Sequence, residues 1–593
     1  MKLLFFSPFS NIWEHSYPEA LVADAFQQES IEVTAVRCDG MLRVHCVAMS
    51  AAGTGPEAGL SKRLQVCKAC VKRRDLLTEK MGIPAIIMDA WLDPEIRARV
   101  DGLVGSVRRD EWTKLEVDGI PLGRYAAYET WLTNKLVSTD LSDEVWDVYL
   151  GQLKNTLLTY FAAERILAAE RPDTVVVYND HYSVNHAFVA AAGRAGIDTY
   201  TIHGGNHMIR RAETLSIFAS DYTMEDVFNS RSWKDFESRP IGSEQIDLVG
   251  GHLTGLFAAN SAFAYSSELK GTSPEELRAR LSIAPESTVL LATMSSEDEL
   301  MGVRLIDAIP TNLTQTSLFE DQFQWVDFLF DYAREHPGVH VVLRLHPRMF
   351  PNKREGVLSP VVSQIMALLD AAPANVTFNM PADGIGLYDV MQIVDVLLNF
   401  RSSVGAELAS VGIPVVVPSN ADFFTYPGEI NRIGHTLAEY TAHIDAAVAE
   451  GWSIENTRRA FRWFAYLFGR VAVDFSDAVK SQPIAVRPRK PGFRLWLWRK
   501  FVYLFLQYGP MIRERLALRN RQVSPLSRAV FLDVVTNRLK SASDSSRWPT
   551  STTTDLEEME LLKGYLRALC AALWDGIDET DSLAGTIRRR VRE

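Results

Sequence analysis

The stretch VVLRLHPRMF (341–350) runs from apolar, β-branched residues into Arg344, His346 and Arg348. The stretch LLNFRSSVGAELASVGIPVVVPS (397–419) makes the same change, ending its apolar run in Arg401, Ser402 and Ser403, with Glu407 one helical turn later. A core needs none of these polar groups. Guanidinium, imidazole and hydroxyl donors gathered at strand ends suit a phosphate or diphosphate. Ser402 and Ser403 immediately precede VGAELAS, which reads as a helix start. The free N–H groups and dipole there favour an anion. The plainer alternative makes Ser402 an N-cap and His346 a turn residue before Pro347. Two strand ends carrying the same kinds of donor favour the anion site.

The elements around these residues alternate. KLLFFSPF reads as a strand, PEALVADAFQQES as a helix and IEVTAVRCDG as a second strand. TVVVYNDH and IDTYTIHGG are further strands around the helix at NHAFVAAAGRAG. A second alternation begins near residue 287 with STVLLATMSS and runs through VHVVLRLHP, NVTFNM, DVLLNF and IPVVVPS. Each series predicts a parallel sheet covered by helices. Two in sequence predict two facing Rossmann-like domains, whose ligands sit at the carboxyl ends of the strands. The expected boundaries are 1–265 for the first domain, with a Cys-containing and a helical insertion, and 266–480 for the second with its return helices. Residues 481–593 form a helical extension. SASDSSRWPTSTTTD (541–555) reads as a flexible polar linker.

The RLHP motif followed by RSSVGAELASVGIPVVV resembles the capsule polysaccharide biosynthesis family of bacterial glycosyltransferases. That family has the two-Rossmann GT-B architecture and includes Kdo transferases. Its relatives include bacterial sialyltransferases and teichoic-acid glycerophosphotransferases. The resemblance covers about residues 170–430. It implies that His346, Ser402 and Ser403 hold the phosphate of a nucleotide-linked donor, with a CMP-sugar such as CMP-Kdo leading, and that Glu407 lies near the donor ribose. It also implies that the first domain supplies the acceptor side and a base.

His203 in YTIHGGNH is the first choice of base, because a histidine near a strand end can take a hydroxyl proton near neutral pH. A His-Gly pair also occurs in the glycerophosphotransferases. Gly204 and Gly205 would let a ligand or the facing domain approach. Asp180 in YNDHYS is the second choice. Asp39 in RCDG is the third, since the sialyltransferases use an acidic residue followed by glycine. His15 and Glu19, after the first strand, could touch the acceptor. No Asp-x-Asp stands in a strand-end context, so no catalytic metal is demanded. The alternatives are a CDP-polyol phosphotransferase or nucleotide-sugar 2-epimerase on the same fold, or a non-catalytic partner in polysaccharide assembly or export.

Four of the five cysteines, Cys38, Cys46, Cys67 and Cys70, fall close together, and Cys67 and Cys70 have the spacing of half a zinc knuckle. A structural zinc and ordinary core thiols both fit that pattern. The formal net charge of -12 argues against nucleic acid as a partner. Residues 487–521 depart from it, with ten Lys/Arg and one acid, a net of +9. Trp496, Trp498, Phe501, Tyr503 and Phe505 interleave with those cations, as in a helix lying on an anionic bilayer. No apolar run reaches the roughly 20 residues needed to span one. MKLLFFSPFSNIWEH lacks the features of a signal peptide and reads as a core strand. The expectation is a cytoplasmic enzyme, peripheral on the inner membrane face, acting on a glycan or lipid-linked acceptor.

Overall fold

The computed structural model describes residues 1–258, 271–308, 318–352, 356–419, 426–478, 522–549, 551–577 and 582–592, with Glu514 and Leu518. The chain divides into two compact units. One comprises Met1–Leu132, Thr139–Tyr222 and Val471–Trp548; the other comprises Thr133–Ser138, Thr223–Arg470 and Pro549–Glu593.

The first unit is built on β1 (Lys2–Phe6), β2 (Glu32–Arg37), β3 (Ala85–Ile87), β4 (Thr174–Tyr178), β5 (Asp198–Gly204) and β6 (Thr214–Ala219), with β13 (Ala472–Asp474) joining late. The order across the sheet is β13-β6-β5-β4-β1-β2-β3. The pairs from β3 through β5 are parallel; β5–β6 and β6–β13 are antiparallel. Its parallel part has the 3-2-1-4-5 order of a doubly wound fold, with the order reversing between β1 and β4. β1 and β4 are buried along nearly their whole length. That explains why they read as continuous apolar runs and not as alternating ones.

The second unit holds β7 (Thr288–Thr293), β8 (Val339–Arg344), β9 (Val376–Asn379), β10 (Val396–Asn399), β11 (Val415–Pro418) and β12 (Arg432–Gly434). The order β12-β11-β10-β7-β8-β9 is parallel throughout and again Rossmann-like, reversing between β7 and β10. Its core packs Leu290, Val341, Leu398 and Val416 against Trp325 and Tyr440. The Trp325 indole N–H donates to the Tyr440 hydroxyl at 3.0 Å, so the indole donor is met inside the core. The α/β class with helical insertion and C-terminal helices is the one the alternation predicts. The insertion runs through Pro94–Ser106, Leu122–Tyr125, Tyr128–Asn134 and the 28-residue helix Asp143–Glu170.

The boundaries differ from 265 and 480. Thr223 already belongs to the second unit, and the chain rejoins the first at Val471. The cause is apolar pairing that a linear reading does not show. β13 adds to β6, and Val530, Phe531 and Val534 of the helix Pro525–Thr536 complete the core around Leu21 and Tyr200. The helix Asp555–Leu573 then joins the second unit. There fully buried Glu558 takes Arg458 Nε at 2.6 Å, Arg462 Nη2 at 2.5 Å and the Ile241 N–H at 3.0 Å. The described residues of the expected linker, 541–549 and 551–555, are ordered structure as well. Ser541, Ser543 and Ser545 are buried, Trp548 donates to the Ala542 carbonyl at 2.7 Å, and Thr554 caps the next helix through a capping box with Glu557. Serine-rich composition here reflects satisfied hydroxyls, not solvation. The basic segment 487–521 lies outside the described residues apart from Glu514 and Leu518. Its one acid, Glu514, is buried in the first unit against Arg73 Nε at 2.7 Å. Among the described residues no helix is long and apolar enough to cross a membrane.

Candidate functional site

In the second unit the strands on either side of the switch point end in serines. β7 leads into Ser295 and Ser296, and β10 leads through Arg401 into Ser402 and Ser403. The Ser295 hydroxyl reaches the Arg401 carbonyl at 3.4 Å, tying the two ends together. Arg401 itself adopts a left-handed backbone, φ 59°, which a non-glycine residue enters at a cost of about 1–2 kcal/mol. Asn399 steadies the turn. Its amide donates to the Ser402 carbonyl at 2.7 Å and to the Tyr426 hydroxyl at 2.8 Å. Gly405 is required here, since a Cβ would overlap the Tyr426 hydroxyl.

The helix that follows, Val404–Ala409, has only six residues, so its dipole is a smaller contributor than the sequence implied. The donors are the side chains. Ser403 is exposed and its hydroxyl donates to Glu407 Oε1 at 3.1 Å; Tyr388 donates to Glu407 Oε2 at 3.0 Å. Burial raises the Glu407 carboxyl, while these two hydroxyls pull it back.

His346 follows β8, the neighbour of β7. Its Nδ1 accepts the Arg348 backbone N–H at 3.3 Å, which places the ring proton on Nε2. Burial, then the charges of Arg348, Arg344 and Lys135, hold the ring down to about 4. His346 is therefore a neutral N–H donor near pH 7. The two arginines beside it are structural. Arg348 is buried and its Nε meets buried Asp298 at 2.8 Å. Arg344 donates to the Asn379 side chain and to the Ile385 carbonyl at 3.2 Å, and burial pushes it down to about 10. Both arginines organise the β8 and β9 ends and have internal partners where the sequence had assigned them to substrate.

In the first unit β4 ends in Tyr178 and then Asn179, which takes a left-handed φ of 54°. The His15 ring stacks on Tyr178 with centroids 4.2 Å apart, and the His203 ring lies 5.8 Å from Tyr178. The Tyr178 hydroxyl accepts the Gly204 N–H at 3.0 Å. His203 Nδ1 bonds the Gly204 carbonyl at 2.8 Å, leaving Nε2 as the acceptor, and Arg211 Nη2 lies 3.5 Å from that nitrogen. Burial, then the Arg211 charge, hold His203 down to about 4. Burial, then His203 and Arg211, hold His15 down to about 3. Asp180 and His181 sit at the same strand end, 3.9 Å apart, within the field His203 feels. Gly204 and Gly205 have a local explanation: a Cβ at Gly205 would strike the Thr214 side chain of β6, and one at Gly204 would crowd Tyr178 and Arg211.

Two expected residues stand elsewhere. Glu19 is buried, accepts the Ser7 hydroxyl and faces buried Arg37, which itself donates to Ser7; burial pushes its carboxyl up to about 7. It braces β1 and β2 and is too enclosed to meet an acceptor. Asp39 follows β2, on the side of β1 away from β4, and pairs with Arg74 at 2.7 Å. Glu129 was not singled out from sequence. Its carboxylate takes the Ser183 N–H at 2.9 Å and the Ser183 hydroxyl, filling the N-terminus of the helix after β4 with an internal anion. Tyr178, Arg211 and Tyr388 were also missed, the first because a terminal Tyr in TVVVY reads as core.

The four clustered cysteines line one small apolar cavity with Phe9, Leu42, Met49 and Val66. Among the described residues no group of three or more His, Cys, Asp or Glu side chains could hold a metal ion. Burial raises all four thiols, Cys38 up to about 12. Of the two readings the pattern leaves open, the apolar lining fits ordinary partly buried thiols.

No protein-family profile matches the chain, and no curated protein does. Among solved structures, UDP-GlcNAc 2-epimerase from Neisseria meningitidis bound to UDP-GlcNAc is 14% identical, over 79% of this chain and 97% of that one, with a TM-score of 0.26. The UDP-GlcNAc 2-epimerase of Methanocaldococcus jannaschii, in complex with UDP-GlcNAc and UDP, is 12% identical over 78% and 98%, TM-score 0.27. The β-Kdo 2,4 transferase KpsC of Thermosulfurimonas dismutans is 15% identical over 49% and 88%, TM-score 0.29. The fold assignment rests on the strand orders given above.

Proposed function

We propose that this chain is a glycosyltransferase of surface-polysaccharide synthesis that uses a nucleotide-sugar donor, with a CMP-linked acidic sugar such as Kdo as the leading candidate. The observation that carries the reading is the polar set at the second unit's strand ends: the His346 imidazole, the Ser402 hydroxyl, which accepts the Val404 N–H at 3.4 Å and keeps its own proton to donate, and Ser403 held against the Glu407–Tyr388 pair. Neutral donors fixed by their own hydrogen bonds can meet the charge that grows on a departing phosphate without reorganising. The corresponding helix N-terminus of the first unit already holds Glu129, which favours the second unit for the phosphate.

In this mechanism His203 Nε2 takes the proton of the acceptor hydroxyl. The acceptor oxygen forms its bond to the anomeric carbon as the bond from that carbon to the donor phosphate breaks, and the electron pair leaves with the nucleotide. The imidazolium then returns its proton to solvent. These steps use no metal ion. The basic, aromatic segment 487–521 would bring the enzyme to an anionic membrane surface and a lipid-linked acceptor; binding to anionic vesicles that weakens with salt tests that clause.

The test of the reaction is incubation with CMP-Kdo, CDP-glycerol and UDP-GlcNAc, following nucleotide release. CMP release that disappears in His203→Gln supports the proposal. Conversion of UDP-GlcNAc without nucleotide release would make the chain an epimerase. Turnover of CDP-glycerol alone would make it a polyol phosphotransferase, and none of the three would favour a non-catalytic assembly partner.

A further inference from the structure

Arg211 lies at the start of the short turn before β6, six residues past the second of the two glycines, and no motif flags it. In the folded chain its guanidinium faces the strand ends. Nη2 stands 3.5 Å from His203 Nε2, and its stem and Nε pack over Gly204. Its charge is felt by His15, His203, Tyr178 and Tyr182, which together ring the end of β4. The neighbouring Arg210 points away from His203, to Glu213 at 2.7 Å and Asp474 at 3.1 Å. The side chains facing His203 are thus Tyr178 from β4, His15 from the first helix, Arg211 from the turn, and Asp180 and His181 after β4.

This arrangement is awkward for a base by itself. Proton uptake at His203 would set an imidazolium against a guanidinium, and Arg211 already depresses the ring after burial does. An oxyanion bound by the guanidinium would remove that conflict. It would face a fork of N–H donors and convert a repulsive pair into a cation–anion–cation arrangement.

We propose that Arg211, with His15 and His203 around the Tyr178 ring, forms a subsite for an oxyanion carried by a substrate of the first unit, the carboxylate or phosphate of an acidic sugar or phosphorylated acceptor. Filling the subsite lets His203 accept a proton, so a neutral acceptor is used poorly and an acidic one well. The proposal rests on the glycosyltransferase reading only for the role of His203; the subsite itself does not.

The experiment is diethyl pyrocarbonate modification of the full chain, read at His203 by peptide mass spectrometry over a pH series. The probes are inorganic phosphate, glucuronate and, for ionic strength, chloride. Phosphate or glucuronate should slow modification of His203 and raise its midpoint pH, and chloride should do neither. Protection by phosphate alone assigns a phosphorylated substrate; protection by glucuronate alone assigns a sugar acid. In Arg211→Gln the midpoint of the unliganded protein should already be higher, and the protecting anion should bind roughly tenfold more weakly, the loss of one charge-assisted hydrogen bond. Arg211→Lys should restore part of the protection. CMP binding by the same variants is measured alongside and should be unchanged. If neither anion protects beyond chloride, or if protection survives in Arg211→Gln, the subsite is wrong. Loss of CMP binding in the wild type would sink the donor reading while leaving the subsite to stand or fall on the protection data.

Discussion

Two substitutions at His346 separate its two jobs. Asn presents a carbonyl oxygen near the position of Nδ1, so His346→Asn can still accept the Arg348 N–H that now lies 3.3 Å from the ring, but it has nothing at Nε2. Gln reaches the Nε2 position with an N–H and abandons the local acceptor. Removing one donor aimed at a developing oxyanion costs about 2.7–4 kcal/mol, or roughly 10²–10³ in turnover. Losing a capping acceptor costs about 0.5–2 kcal/mol of stability. The structure therefore predicts a crossed result. His346→Asn should keep its stability and lose about 10²–10³ in donor turnover. His346→Gln should lose about 1 kcal/mol of stability and keep more turnover. The assays are nucleotide release and urea denaturation on the same preparations. A pH series adds a second check. With His346 held down to about 4, nucleotide affinity should not fall as pH rises from 6 to 8 through loss of an imidazolium. Turnover that tracks stability in both variants, or wild-type turnover in His346→Asn, would refute the reasoning and leave His346 as a turn residue.

Other consequences follow from buried ionisable groups. His15 is held down to about 3 against an ordinary 6.5, so the unfolded chain takes up its proton first. Its contribution to stability is present above about pH 6.5 and is lost as pH falls toward 3; His15→Phe, which keeps the stack on Tyr178, should flatten that part of the stability–pH curve in denaturant titrations. Glu558→Ala leaves Arg458 and Arg462 to share the exposed Asp555 carboxylate in place of the buried one, and calorimetry should show a loss approaching the roughly 3–5 kcal/mol of a broken buried pair. An unchanged melting profile would show that the pair is not worth its burial. The four clustered thiols should alkylate much more slowly in the native protein than in urea, and metal analysis should find far less than one zinc per chain; stoichiometric zinc would overturn the core reading.

The sheets were legible because strands buried on both faces write continuous apolar runs, as TVVVY and VHVVLR do. What the runs could not show was pairing. β6 and β13 are short and meet through residues some 250 positions apart, and the serines of 541–545 read as solvated because nothing local reveals their burial. The same limit governs the site. His346, Ser402, Ser403 and His203 carry visible signals, a His-Pro, a Ser-Ser and a His-Gly at strand ends. Arg344 and Arg348 carry the same signal, yet their guanidinium groups bond Asn379 and Asp298, and only the folded chain decides which of several polar residues at a strand end turns inward. Arg211 is the converse case, invisible in its own segment and placed beside His203 by the antiparallel β5–β6 pair.

The central claim is that the second unit's strand ends bind the phosphate of a nucleotide donor, and titration calorimetry tests it directly. CMP, CDP, UDP and GDP are titrated into the full chain and into the double variant Ser402→Ala, Ser403→Ala. The account predicts measurable binding of one nucleotide class, with CMP or CDP leading, and a loss of about 1–3 kcal/mol in the double variant as the Ser402 donor to a charged group and the Ser403 brace on Glu407 disappear. Binding that is equal in the wild type and the double variant, or the absence of binding by any of the four, would contradict it.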